Sequence, residues 1–183
     1  IRQITSTPAD ERNPVWSPDG RSLAFLRMVG WAKPVLVIHS LYGNEDVSER
    51  ELKTVDGGLA WSPDGRNLAV YYSTEIEPSS LIYLCSVDGA QRVRVTEPLD
   101  GRRVEDDNPV FSHDGKWLSF TRHIKGHGSF VCRRAIDGGP HGSIDQLSGD
   151  MRWISSMALI SEWPEGGVGE QLLVAAELTG ESR

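Results

Sequence analysis

Three groups of side chains in this 183-residue sequence have types and spacings that chemistry uses. The first is acidic: Asp10-Glu11 and, much later, Glu105-Asp106-Asp107. Carboxylates converging at one mouth would bind a cation, a basic peptide or a metal ion. The calcium-loop spacing Asp-x-Asp-x-Asn-Gly is missing, and Asp56 is the one acid at the corresponding place between them. The simpler expectation is therefore solvated loops, and no metal or cofactor is expected. The second group is His123 and His127, four apart. On a helix they would share a face and suit zinc. Gly126 and Gly128 interrupt the segment, which reads instead as an exposed hairpin loop. The third is Ser129, in Gly126-His127-Gly128-Ser129-Phe130. A nucleophile elbow needs glycine two residues after the serine and then a helix. Val131 stands there and no helical pattern follows, so no catalytic residue is expected.

The remaining chemistry-bearing residues read as structural. Cys85 and Cys132 lie in strand-like runs and form neither a zinc signature nor a disulfide framework. Free thiols acting as small hydrophobes fit them best. Arg102-Arg103 and Arg133-Arg134 have acids nearby to pair with. A net charge of −7 speaks against direct contact with nucleic acid. No stretch approaches the roughly 18 apolar residues of a membrane span.

The elements that position these residues are repeats. Three near-copies of one phrase stand out: Asn13-Pro14-Val15-Trp16-Ser17-Pro18-Asp19-Gly20-Arg21-Ser22-Leu23-Ala24-Phe25, then Gly58 to Val70 around Trp61-Ser62-Pro63-Asp64-Gly65, then Asn108 to Phe120 around Phe111-Ser112-His113-Asp114-Gly115. The aromatics Trp16, Trp61 and Phe111 follow one another at 45 and 50 residues. A period of about 40–50 residues is the signature of a propeller blade. Within each phrase, proline pre-sets a type I turn, serine bonds across it, and glycine takes the position where a side chain would clash. Large and small residues then alternate, large on one face and small on the other, and the small face suits a sheet packed closely against its neighbour.

A third strand follows in each unit, over Val35–Ile38, Leu81–Leu84 and Phe130–Cys132, and a more polar fourth over Glu51–Val55, Arg92–Thr96 and Asp145–Ser148. Four short strands per unit make a blade. The sequence thus predicts an all-β chain: a partial β-propeller of about 3.5 four-stranded antiparallel blades. Blade 1 spans 13–56, blade 2 spans 57–97 and blade 3 spans 108–148, with a degenerate partial blade over 157–177. Residues 1–6 match the last strand of a preceding blade. The recurring aromatics are expected between blades, as core. Trp31, Trp153 and Trp163 break the period and are the better candidates for a contact surface.

The phrase Trp-Ser-Pro-Asp-Gly-Arg-x-Leu-Ala-Phe/Val resembles the WD-like propeller repeat of TolB and its relatives. The resemblance covers residues 1–148 and, weakly, 157–177. It implies a platform that docks protein, in the periplasm for TolB-like proteins. The run Glu77–Leu84, with Ser86-Val87-Asp88-Gly89 and Arg92–Thr96, resembles the C-terminal propeller of winged-helix regulators, which implies a sensor or interaction module, cytoplasmic or membrane-tethered. Prolyl-oligopeptidase-like enzymes carry a similar propeller before their catalytic domain. The expectation is a non-catalytic scaffold that binds a protein or small ligand at its face. It would be part of a propeller of six or more blades, because fewer than four blades leave edges open to self-association.

Overall fold

The computed structural model describes residues 3–29, 33–41, 46–51, 58–73, 79–137, 142–149, 153–160 and 171–177. All regular structure among them is β-strand. The first sheet runs β1 (Glu11–Trp16), β2 (Ser22–Val29), β3 (Lys33–Ser40) and β4 (Asp46–Glu51). The second is β5 (Ala60–Trp61), β6 (Asn67–Tyr72), β7 (Leu81–Ser86) and β8 (Arg92–Arg94). The third is β9 (Val104–Phe111), β10 (Trp117–Ile124), β11 (Gly128–Ala135) and β12 (Ile144–Gln146). A two-stranded sheet follows, β13 (Trp153–Ile160) with β14 (Gln171–Glu177), over the degenerate repeat. Each sheet is an antiparallel meander in chain order, and the arrangement is an open, partial β-propeller.

The turn between the first two strands of each blade is fixed by serine and aspartate together. Ser17 Oγ donates to Asp19 Oδ1 at 2.6 Å and accepts from the Ser22 N–H at 2.8 Å, while the Arg21 N–H donates to the same carboxylate at 3.0 Å. Ser62 with Asp64 and Ser112 with Asp114 repeat the set. His113 in place of proline leaves it intact. The motif recurs between outer strands, where Ser86 and Asp88 join β7 to β8. The glycine that follows each aspartate is left-handed, with φ of 67° at Gly20, 70° at Gly65 and 71° at Gly115. Alanine in that conformation is strained, so Gly65→Ala should cost about 1–2 kcal/mol in a urea titration. An unchanged midpoint would contradict the left-handed turn.

Alternation along the strands sends successive residues into two different cores. Leu68 and Val70 join Ala24, Leu26, Leu36 and Ile38 of the first sheet. Ala69, Tyr71 and Ile82 join Phe111, Leu118, Phe120 and Cys132 of the third. Both cysteines are buried in these clusters, and among the described residues neither forms a disulfide. Leu23, Phe25, Val35 and Val37 form a third buried cluster on the other face of the first sheet.

The recurring aromatics divide. Phe111 is 7% exposed in core, and Trp61 lies against the first sheet, its indole N–H donating to the Val15 carbonyl at 3.1 Å. Trp16 is 56% exposed, contrary to its expected core role. The reason is positional: this residue packs on the preceding sheet, and among the described residues none precedes β1. Trp31 and Trp163 lie outside the described residues, and Trp153 opens β13.

Two further differences concern strand ends. The fourth strand of the first sheet runs over Asp46–Glu51, earlier than expected, in register from His39↔Asp46 to Val35↔Glu51. Its polar sequence carries no alternation that could have placed it; residues 52–57 lie outside the described residues. Residues 3–9 form no strand with described residues. Thr5 and Thr7 instead donate their hydroxyls to the Glu11 carboxylate.

Candidate functional site

The acidic residues stand at fixed places relative to the blade aromatic. Asp10 and Glu105 come six residues before it, Glu11 and Asp106 five before. Expected in loops, Glu11 lies in β1 and Glu105-Asp106-Asp107 lie in β9, because both strands start earlier than their alternation suggests. A bulge interrupts each strand, at Asn13 (φ 54°) and Asn108 (φ 48°). Asparagine tolerates this left-handed backbone, and the bulge breaks the period-two pattern.

The position five before the aromatic is internal. Glu11 faces Arg27 across β1 and β2, with a 3.0 Å ion pair. Asp106 faces Arg122 across β9 and β10, with two 2.7 Å bonds, one each from Nε and Nη2. Both arginines stand 16 residues after their acid. Arg122 Nη2 also donates to the Glu97 carbonyl at 2.9 Å, and Thr96 bonds the Asp106 carboxylate. Thr96 in turn accepts the Ile82 N–H at 2.9 Å. Burial opposes the Arg122 charge, and the Asp106 bonds and charge outweigh it, holding the guanidinium ionised. Burial also pulls Glu11 upward, but the Thr5, Thr7 and Arg27 bonds outweigh it and hold that carboxyl below its ordinary value. In the second sheet the matching positions are Asp56, outside the described residues, and Tyr72.

The position six before the aromatic faces water. Asp10 pairs with Arg12 at 2.8 Å and Glu105 with Arg103 at 3.0 Å, both exposed. Exposed pairs of this kind contribute little to stability, so these carboxylates can exchange partners. Asp107 is half-buried, bonded to Thr121 and Asn108. Burial pushes its carboxyl up to about 6, helped by the neighbouring Asp106 and Glu105 charges. A folded value above 3.8 means protonation favours the folded state: the contribution is full below about 3.8 and lost as pH rises through about 6. Asp107→Asn should therefore raise the melting temperature at neutral pH and leave it unchanged near pH 4. Equal effects at both would refute the assignment.

Ser129 is 1% exposed, and its hydroxyl bonds His123 Nδ1 at 2.9 Å across β10 and β11. His127 sits on the exposed turn of that hairpin. Cys132 is buried, which pushes its thiol up to about 11 and keeps it protonated. Arg133 pairs with Asp145 and covers the Trp117 ring at 4.4 Å. Among the described residues no three His, Cys, Asp or Glu gather as a metal site, and no helix is long and apolar enough to cross a membrane.

No family model matches the sequence, and no curated protein does. Solved structures match it in fold. TolB from Acinetobacter baumannii has a TM-score of 0.65 at 20% identity, over 96% of this chain and 42% of TolB. A prolyl endopeptidase has 0.64 at 19% identity, over 92% of this chain and 24% of its own. Prolyl oligopeptidase B from Galerina marginata has 0.61 at 13% identity, over 85% and 24%. The chain has the fold of a TolB-type β-propeller, and spans under half of each of these structures.

Proposed function

We propose that the chain is a non-catalytic propeller scaffold, part of a larger ring, that docks a basic segment of a partner at the end of its innermost strands. One observation carries this reading. Of the acids near that end, Glu11 and Asp106 are committed to internal arginines, while Asp10 and Glu105 recur exposed at equivalent positions. Carboxylates repeated on a rigid arc complement a cationic partner. As a sensor or docking module, it would serve a TolB-like protein of the periplasm or a regulator. The open arc also leaves strand edges through which copies could associate.

The test uses an oligolysine peptide as probe, followed by fluorescence anisotropy at low salt. Asp10→Lys with Glu105→Lys should weaken binding at least tenfold without lowering the melting temperature. Asp137→Lys, exposed past the opposite end of β11, is compared with Glu105→Lys alone, which makes the same change in net charge, and should weaken binding far less. Equal losses would mean diffuse attraction to a chain of charge −7 and would overturn the reading.

The second reading is the propeller portion of a prolyl-oligopeptidase-like enzyme, supported by the fold likeness above. There the nucleophile would lie in a separate catalytic domain. Ser129, buried in β11, is a strand residue of the hairpin and not an exposed nucleophile. A Gly-x-Ser-x-Gly elbow downstream in the reading frame would favour the peptidase, a winged helix upstream the regulator, and a signal peptide the TolB-like platform.

A further inference from the structure

A cavity of about 470 Å³ opens where the third sheet meets the segment leaving the second. Leu99, Ile124, Phe130 and Ile144 supply apolar wall, with Arg122 and Glu97 among its polar groups. Alternation explains its composition. Phe120 and Cys132 pair across β10 and β11, as do Arg122 and Phe130 one step further along the same face. At Phe120 and Cys132 that face is core against the second sheet. Beyond them it continues apolar into the cavity.

Arg122 is the unusual wall residue. Its side chain is 6% exposed. Nε and Nη2 carry all three of its bonds, to the Asp106 carboxylate and the Glu97 carbonyl. Nη1 takes part in none of them. A deeply placed guanidinium with one donor group left over, on the wall of an apolar space, is a polar anchor in search of an acceptor.

We propose that this cavity binds an uncharged, mainly apolar ligand through a carbonyl-type oxygen that accepts from Arg122 Nη1. The volume lies within the roughly 300–1,000 Å³ usual for small-molecule sites. Charge decides the class. Asp106 already neutralises Arg122, and Arg94 pairs with the Glu97 carboxylate at 2.6 Å, so the charged groups of the wall are matched. An anionic ligand would lose its hydration with no unmatched positive charge to replace it; a neutral amide or ketone meets a donor at a far smaller desolvation cost. The inference does not rest on the exposed acids.

The probe is N-acetylleucinamide, with N-acetylleucine as its anionic counterpart, titrated into the chain and followed by amide chemical shifts. The amide should shift Leu99, Ile124, Phe130 and Ile144 saturably, and the acid should bind at least tenfold more weakly. Ile144→Trp, which fills the space, should abolish those shifts. Gln146→Trp, from the same wall, replaces it if the first variant unfolds. No saturable shift at these residues, an acid that binds as well as the amide, or binding untouched by the filling variant would each overturn the proposal.

Discussion

Asp106→Leu, with Arg122 left in place, should remove about 3–5 kcal/mol of folding free energy, read from urea unfolding. Asp106 is fully buried and accepts two 2.7 Å bonds from a guanidinium that is 6% exposed. Leucine would leave that guanidinium inside without its counter-charge, and the uncompensated ion is the costly part. Replacing both partners, as Asp106→Leu with Arg122→Met, should therefore recover most of the loss. Glu11 and Arg27 make the same pair with 19% and 10% exposure, so water can take over part of the work. Glu11→Gln should cost clearly less. A loss at Asp106 no larger than at Glu11 would mean that burial does not govern the pair.

The second large effect is expected at the interface between the second and third sheets. Phe120 is fully buried there among Tyr71, Ile82, Leu118 and Cys132. Phe120→Ala deletes a ring from packed surroundings and should cost about 3–5 kcal/mol. Trp16→Ala offers the opposite case. This tryptophan belongs to the repeat as fully as Trp61 does, yet it is 56% exposed, so its removal should stay within about 0.5 kcal/mol. Thermal unfolding of both variants makes the comparison. A large loss at Trp16 would show that something covers it.

What could be read from residues alone follows from the range of the interactions involved. The Ser-x-Asp-Gly turns are local, so Ser17, Ser62 and Ser112 marked their hairpins. The role of the aspartate was less visible: Ser62 and the Arg66 N–H hold its charged form, and the Asp64 carboxyl lies below its usual value. Paired outer strands were hard to bound because β4 and β8 are polar and lack alternation. The candidate acids were found, but as loop residues. Asn13 and Asn108 interrupt the pattern, and the strand beyond each bulge looks like connection. The signal that separates Glu11 and Asp106 from their exposed neighbours was present as an arginine 16 residues on. It gains meaning only once β1–β2 and β9–β10 are known to pair in that register.

The hydroxyl, carboxylate and guanidinium chain has a consequence for where the protein can be divided. Thr96 follows the last strand of the second sheet, yet it bonds Asp106 of the third and, through it, Arg122. Thr5, Glu11 and Arg27 reproduce the arrangement at the first sheet. The cooperative unit is thus staggered against the sheets: it begins on the strand end before a blade and closes two strands into it. A truncation that respects sheet boundaries, cutting between Thr96 and Val104, severs this stitch and leaves the buried Asp106 carboxylate without the Thr96 hydroxyl. One that cuts ahead of β8 keeps it whole. Boundaries for dissecting or recombining such units belong one strand upstream of where the sheets appear to end.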